Sequence, residues 1–518
     1  MLLHDYLTYW AAAVPDKTCV YDEQNSWTYR QIDEWSDRVA TVLADLGVRD
    51  GGRFGVLANN CAEWLPIYFG AFKCGAVPVP LNFRLHPDEW RFLLADSTAT
   101  AVLVQDRYVD KIATVRAALD HVKSWVVIDG GDPQWQSLPA LVERATPNPP
   151  RRPVIRPDHD LWQMYTSGTT GRPKGAVLTH ASVNSCMIQA HLEPVSMHED
   201  RQLIVMPLFH AGATMSMLSN LAVGATVRVM ERFDAAECAR VLEEERITRV
   251  SLVPAMIQSM LVEVPDISQR DYSNLRVLSY GAAPISEDTL RNALAVFDCG
   301  FRQGFGQTET SGALSCLTPR DHQRALAGHP QLLLSCGRPI VGTEIAIVDD
   351  QGNRVPVGQA GEIIARGPQM MRGYWNRPDA DAATLVDGWL HTGDVGRLDA
   401  EGYLYICDRI KDMIVCGGEN IYPREVENIL FQMPQIADAA VIGVPDQKWG
   451  ESVKAIVVLR PGHSATGDQV IAWTRARLAT YKAPRSVDFL DALPRNPSGK
   501  VLKRELRKPY WQDTARNI

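Results

Sequence analysis

The middle of the chain alternates between two hydrophobic rhythms. Thr226–Met230 (TVRVM) reads as a strand, and Asp234 then caps a helical stretch that puts Cys238, Val241 and Leu242 on one face. Residues 249–255 (RVSLVPA) read as the next strand, and 275–281 (LRVLSYG) as another. Ser286 opens a helix with Glu287 and Asp288 in its first turn. Its apolar residues Leu290, Ala293, Leu294 and Phe297 recur at helical spacing. Strands separated by such helices predict a parallel sheet in an α/β domain. From about 335 the rhythm shortens, and EIAIVDD and GEIIARG around a Gly-Asn turn predict antiparallel strands. After 408 come a charged, glycine-bearing segment, a helix with Pro423 near its first turn, two strand-like runs (AAVIGV and KAIVVL) and a helix around 468–479. These predict a small α+β unit. No internal repeat or low-complexity segment interrupts the pattern.

With 518 residues the chain is too long for one hydrophobic core. Acidic residues outnumber basic ones, 61 to 53, for a net charge of −8. That balance argues against non-specific nucleic-acid binding, which needs a basic face. Any anionic ligand must be met by local positive charge. The N-terminus is interrupted early by charge, so no signal peptide is expected. The least polar long window, 211–227, is too short and too polar for a membrane span, so no stable membrane insertion is expected. Ten cysteines without a CxxC pair read as reduced, mostly buried thiols of a cytoplasmic protein.

Residues 165–175 read YTSGTTGRPKG after a strand-like LWQMY. Gly168, Gly171 and Gly175 permit close approach of main-chain N–H groups to a ligand. Thr166, Ser167, Thr169 and Thr170 add hydroxyls, and Lys174 adds a charge. Amides, hydroxyls and one ammonium suit a polyphosphate. The spacing is not that of a P-loop, because Pro173 precedes the lysine and Gly175 follows it. Nor is it the GxGxxG dinucleotide pattern. A solvated turn would account for a generic Gly/Ser/Thr loop, but not so readily for this full run.

The loop closely resembles the phosphate loop of the adenylate-forming superfamily, which includes acyl-CoA synthetases, aryl-CoA ligases, peptide-synthetase adenylation domains and firefly luciferase. Further motifs follow in the family's order. In QGFGQTET (303–310), the resemblance implies that Gly304, Phe305 and Gly306 border the adenine, with Phe305 stacked on it. Thr308 would bond the α-phosphate and Glu309 would hold Mg²⁺. Gly281, Ala282, Ala283 and Pro284 (GAAP) would line the adenine with backbone, although a strand-ending turn explains the tetrapeptide equally well. Asp394 in WLHTGD would bind the ribose, and Arg409 the ribose and phosphate. Lys411 falls on the family's hinge, and Lys500 in PRNPSGK on its catalytic lysine. An ammonium there would offset the repulsion between a carboxylate and an α-phosphate. Gly417 and Gly418 would let a pantetheine arm pass, and Trp449 would stand at the tunnel mouth, or else in the core. His210 in PLFHAGA would gate an acyl pocket, or else be an ordinary core or surface histidine. The small apolar residues after it suggest an acid with an uncharged tail, whether fatty, aryl or alicyclic.

The resemblance spans about residues 5 to 510. It implies an α/β multidomain fold: a large N-terminal adenylation domain (1–408) of α/β subdomains plus a β-barrel, and a small mobile α+β C-terminal domain (409–518). It implies ATP/AMP, Mg²⁺ and coenzyme A as cofactors, with an acyl-AMP intermediate and AMP and pyrophosphate as products. The expected partners are a small carboxylic acid, ATP and CoA; a homodimer is compatible with the sequence. Other readings stay open: loading of a free-standing carrier protein, a member that runs one half-reaction, and a non-catalytic nucleotide sensor. The chain ends 18 residues after Lys500 without a fused carrier domain, which favours CoA.

Overall fold

The computed structural model describes residues 1–131, 134–146, 153–166, 173–192, 196–283, 285–416, 419–446, 448–495 and 501–511. Its largest sheet has nine strands in the order Arg338–Pro339, Ser315–Leu317, Gly300–Phe305, Val277–Gly281, Arg249–Leu252, Arg201–Ile204, Thr226–Val229, Thr18–Tyr21 and Ser26–Thr28. The six strands from Gly300–Phe305 to Thr18–Tyr21 pair in parallel. The expected parallel α/β sheet is therefore present, with antiparallel strands closing both edges. Asp234 and Ser286 cap the helices Ala235–Glu244 and Glu287–Phe297 by accepting the N–H of Glu237 and of Thr289. The strand expected over 249–255 stops at Leu252. Pro254 takes the first position of the helix Pro254–Glu263, where its missing N–H costs nothing.

A second parallel sheet runs Val77–Pro80, Arg53–Leu57, Ala101–Val104, Ser124–Val127 and Gln136–Ser137. One apolar cluster joins the two sheets, carrying Leu65, Phe69 and Phe72 together with Ile204 and Val227. The antiparallel strands expected from 335 onward are Glu344–Val348 and Gly361–Arg366. With Leu385–Val386, Trp389–Leu398 and Leu404–Arg409 they form a five-stranded sheet. A further sheet has three strands, Gly373–Tyr374, Lys174–Thr179 and Asp160–Thr166 in that order.

Beyond 408, the helix expected from Pro423 is Pro423–Leu430, the strand runs lie in Ile436–Asp446 and Gly450–Leu459, and the later helix is Gly467–Arg475. This part has its own core of Ile414, Val426, Leu430, Val441, Val453 and Val470. All ten cysteines are free thiols and eight are buried. Among the described residues, no helix is long and apolar enough to cross a membrane.

Gly337 fastens the antiparallel sheet to the central one. Its carbonyl accepts Leu404 N at 2.8 Å, and its φ is +79°. A Cβ there would stand 1.8 Å from the carbonyl oxygen of Cys316, which is backbone and cannot turn aside. Gly337→Ala should cost roughly 2–4 kcal/mol and lower the thermal midpoint by several degrees. An unshifted melting curve would remove this role.

Candidate active site

The hairpin Asp160–Thr166 and Lys174–Thr179 sets Thr166 directly opposite Lys174, so these two residues close the base of the glycine-threonine loop. Ser167, Gly168, Thr169, Thr170 and Gly171 lie outside the described residues, as do Pro284, Gly417, Gly418 and Lys500. The loop base meets a residue far along the chain: Thr166 Oγ1 donates to Glu309 Oε1 at 3.2 Å. Glu309 sits in a single 3-10 turn, Thr308–Thr310, just after the strand Gly300–Phe305. It is 9% exposed and accepts a second bond from Tyr374 OH at 2.9 Å.

Tyr374 is held there by backbone pairing. Met371 N bonds Glu309 O at 2.8 Å, and Arg372 N and Trp375 N bond the carbonyls of Val177 and Gly175. Lys174 Nζ lies 4.9 Å from the Tyr374 ring centroid, a cation–π contact. Burial, then the Glu309 charge, push the Tyr374 hydroxyl well above its ordinary value, so it stays a donor. Nothing in the linear sequence marks Tyr374. Its partners are 65 and 200 residues away in sequence, and no local pattern marks them.

A second group forms one layer away. The strands Trp389–Leu398 and Leu404–Arg409 pair Asp394 with Arg409, and Arg409 Nε lies 3.3 Å from Asp394 Oδ1. Asp394 is 5% exposed, and Gln307 Nε2 donates to its Oδ2 at 2.8 Å. Gln307 also bonds Thr392 O at 2.8 Å, tying the 303–310 segment to the antiparallel sheet. Gln307 lies inside the 303–310 motif, but the motif alone does not distinguish it from its neighbours.

Gly281 and Gly304 are paired neighbours at the ends of their strands. A Cβ on Gly281 would stand 2.3 Å from Gly304 O, and one on Gly306 equally close to Gly312 O, so close backbone approach explains both glycines. Gly304, by contrast, opens onto free space. Ala282 holds a left-handed φ of 64° at the turn into Ala283. Phe305 packs with Leu314, Cys336, Ile363 and Leu404, so most of its surface is already covered. His210 is the extended residue before the helix Ala211–Leu221, and its ring lies 4.4 Å from that of Phe209. In that helix Ala211, Ala213, Met215, Met217 and Leu218 are buried. Their apolar character therefore also serves core packing, and does not by itself describe a ligand's tail.

Lys411 is exposed in the short turn Ile410–Asp412. Desolvation of its inner part, with the charges of Arg409 and Arg507, leaves its ammonium below the usual lysine value against the opposing pull of Asp412 and Asp394. The helix Lys503–Arg507 is tied to this turn: Arg507 Nη1 lies 2.9 Å from Asp412 Oδ1, and Lys503 Nζ 2.8 Å from Glu427 Oε1 and 3.9 Å from Asp408 Oδ2. Desolvation alone would lower Lys503, yet Glu427, Asp408 and Asp412 together hold it raised. Trp449 is 37% exposed, which removes the core-tryptophan alternative. Lys448 Nζ and Arg485 Cζ stand 4.6 and 5.1 Å from its ring.

Thr166 and Lys174, the two ends of the glycine-threonine segment, therefore stand beside a buried carboxylate held by two hydroxyls. Mg²⁺ is usually bound through one or two carboxylates plus substrate phosphates, and Glu309 fits that pattern. Among the described residues, no group of three or more His, Cys, Asp or Glu forms a metal cage.

The profile of AMP-binding enzymes matches residues 7–375, and that of the AMP-binding enzyme C-terminal domain matches 425–500. The chain is 40% identical to a feruloyl-CoA synthase of Amycolatopsis sp over 499 residues, covering 96% of each. It is 37% identical to the fatty acid–[acyl-carrier-protein] ligase ScoC of Streptomyces coeruleorubidus, over 97% of this chain and 95% of that protein. Its fold matches a solved Mycobacterium tuberculosis fatty acyl CoA synthetase with a TM-score of 0.78 and 34% identity, over 98% of both chains. The chain belongs to the AMP-binding enzymes, the adenylate-forming superfamily. Within that superfamily it is an AMP-forming acid–thiol ligase.

Proposed function

We propose that the protein is an acyl-CoA synthetase working in two half-reactions: a carboxylic acid and ATP give acyl-AMP and pyrophosphate, and CoA then takes the acyl group and releases AMP. The observation that carries this reading is the meeting of Thr166, at the base of the glycine-threonine loop, with the buried Glu309. Residues 166–171 and Lys174 hold the phosphates, and Thr308 bonds the α-phosphate. Glu309 holds Mg²⁺, which when bound screens the phosphate charge. Gly281 to Pro284, Gly304, Phe305 and Gly306 border the adenine. Asp394, beside Gln307 and Arg409, is a carboxylate that accepts from the ribose hydroxyls, and Arg409 reaches ribose and phosphate.

In the first step a carboxylate oxygen attacks the α-phosphorus and the bond to pyrophosphate breaks. Lys500 neutralises the two anions as they meet. Residues 409–518 then turn about Lys411, withdrawing Lys500 and bringing Gly417, Gly418 and Trp449 to the acceptor. The ion pairs of Lys503 and Arg507 carry the helix just after Lys500 with the hinge. The thiol attacks the acyl carbon and AMP leaves. His210 gates the acid, whose tail is uncharged along its body. Lys448 and Arg485 beside the exposed Trp449 favour a polyanionic free thiol, hence CoA over a carrier protein. Both acceptor types occur among the relatives.

With a panel of acids, ATP and Mg²⁺, CoA and a holo-carrier should be offered side by side. The expected result is AMP and thioester with CoA. Product with the carrier alone would reassign the acceptor, and no AMP with any acid would discard the reading.

A further inference from the structure

The central sheet leaves one face of its middle strands partly open. Along a strand, alternate residues share a face. In Gly300–Phe305 the residues Phe301, Gln303 and Phe305 are buried, while Gly300, Arg302 and Gly304 remain partly accessible. The parallel register sets Ser279 beside Arg302, Gly281 beside Gly304, and Ser251 beside Ser279. Ser251, Ser279 and Gly281 are also partly accessible, although neighbours in their strands are buried. Across from them, Ser216 of the helix Ala211–Leu221 places its Oγ 3.1 Å from Ser251 Oγ. A strand interior covered by a helix stays accessible only where a gap remains between the two layers. The gap is lined by serines and glycines, and its upper end is Gly304, just before the Phe305–Glu309 segment.

Arg302 stands at the lower end. Among the described residues its side chain makes no hydrogen bond or ion pair, and its Nε is buried without a partner. Two further buried nitrogens share this condition. One is Nε of Arg249, which is 7% exposed and whose Nη1 bonds Ser196 Oγ and Asn220 Oδ1. The other is Nε2 of His191. The three groups feel one another. Burial pulls Arg249 down to about 10, with Arg302 adding to the shift. Burial, then Arg249, and further Arg302, lower His191. Buried polar groups are nearly always satisfied, so the two unmatched arginine Nε–H groups at one gap call for an acceptor, while the neutral His191 ring, which already bonds the Ser219 backbone, leaves its Nε2 open to a donor. Arg276 pairs with Asp200, and Asp200 also acts on Arg249, but among the described residues no carboxylate bonds Arg302.

We propose that this gap receives the tail of the acid and that Arg302, flanked by Ser279 and Ser251, binds an oxygen acceptor at the tail's far end, a keto or carboxylate group. The inference rests on the adenylating reading above and refines it: the body of the tail is apolar and its end is not. Arg302 lies two residues, roughly 6.6 Å, below Gly304, so the acceptor sits several bonds from the reacting carboxyl. A site built to bond an oxygen discriminates against an analogue lacking it far more strongly than an apolar wall discriminates one methylene.

The test compares acid-dependent pyrophosphate release for octanoate, its penultimate-keto analogue and suberate, and for the same trio built on dodecanoate. The wild-type protein should favour at least one oxygenated acid over its alkanoate by about 100-fold or more in kcat/KM. Which of the two wins tells a neutral acceptor from an anionic one. Arg302→Met should collapse that ratio towards one, by losing the oxygenated acid and gaining the alkanoate. Ser251→Ala should reduce it by about 5- to 10-fold. If Arg302→Met does not fold, the wild-type ratio and the serine variant still decide. Turnover of all three acids with a ratio near one would overturn the inference alone and assign the nitrogens to trapped water. So would a ratio unchanged by Arg302→Met. No turnover with any acid would remove the adenylating reading itself.

Discussion

Lys500→Ala will cut acyl-AMP formation by about 100- to 1000-fold while leaving the conversion of preformed acyl-AMP to thioester close to its original rate. The split follows from where charge builds up. In adenylation a carboxylate approaches an α-phosphate that is already negative, and a positioned ammonium offsets that repulsion most strongly in the transition state. Losing one such group typically costs about 3 kcal/mol. In thioester formation the nucleophile attacks a carbonyl carbon and the departing anion is AMP, so no second anion has to be forced against the phosphate. Single-turnover assays started from acid plus ATP, and separately from synthetic acyl-AMP plus CoA, will distinguish the two steps. Equal losses in both would mean that Lys500 supports the structure at large, and unchanged pyrophosphate exchange would end its assignment.

The second large effect belongs to Glu309→Gln. Glutamine keeps the shape, and its amide oxygen can still accept from Thr166 Oγ1 and Tyr374 OH, so the local fold should persist. Only the negative charge is lost. Adenylation should fall by about 100-fold or more, and the Mg²⁺ concentration for half-maximal rate should rise, because one carboxylate and the phosphates are the expected oxygen ligands. Tyr374→Phe, which removes one donor and keeps the charge, should cost much less. An unaltered magnesium dependence in Glu309→Gln would take the metal away from this residue, and a full-sized loss in Tyr374→Phe would make hydrogen bonding, not charge, the main contribution.

The parts of the fold that were legible from sequence are those in which local chemistry repeats a period. Asp234 and Ser286 announced two helices because a capping side chain is chosen by the N–H groups two or three residues on. The antiparallel pair Glu344–Val348 and Gly361–Arg366 was visible through its turn. The second parallel sheet carries no such signal. Its strands, such as Phe54 to Leu57 and Ala101 to Val104, are buried on both faces and carry no polar alternation to mark them.

The candidate site divides in the same way. Contiguous motifs gave Thr166, Lys174, Glu309, Asp394 and Arg409, and the fold brings these into two neighbouring groups. Tyr374 and Gln307 complete those groups through contacts made only when separate sheets pack, and a linear pattern carries no record of them. Arg302 was hidden for a related reason. In the sequence it is one charge beside a recognisable motif, and only the register with Ser279 places it on the same sheet face as the partly accessible serines. The apolar run after His210 is ambiguous in the opposite way: the same residues that suggest a pocket lining also pack into the core, and burial serves both.

The central claim is that the acid's own oxygen displaces pyrophosphate from the α-phosphorus of ATP. Incubating the protein with ATP, CoA and an acid carrying heavy oxygen in its carboxyl group, then weighing the nucleotide product by mass spectrometry, tests this directly. One heavy oxygen should appear in AMP and none in pyrophosphate. Formation of ADP in place of AMP, or AMP free of the label, would contradict the account.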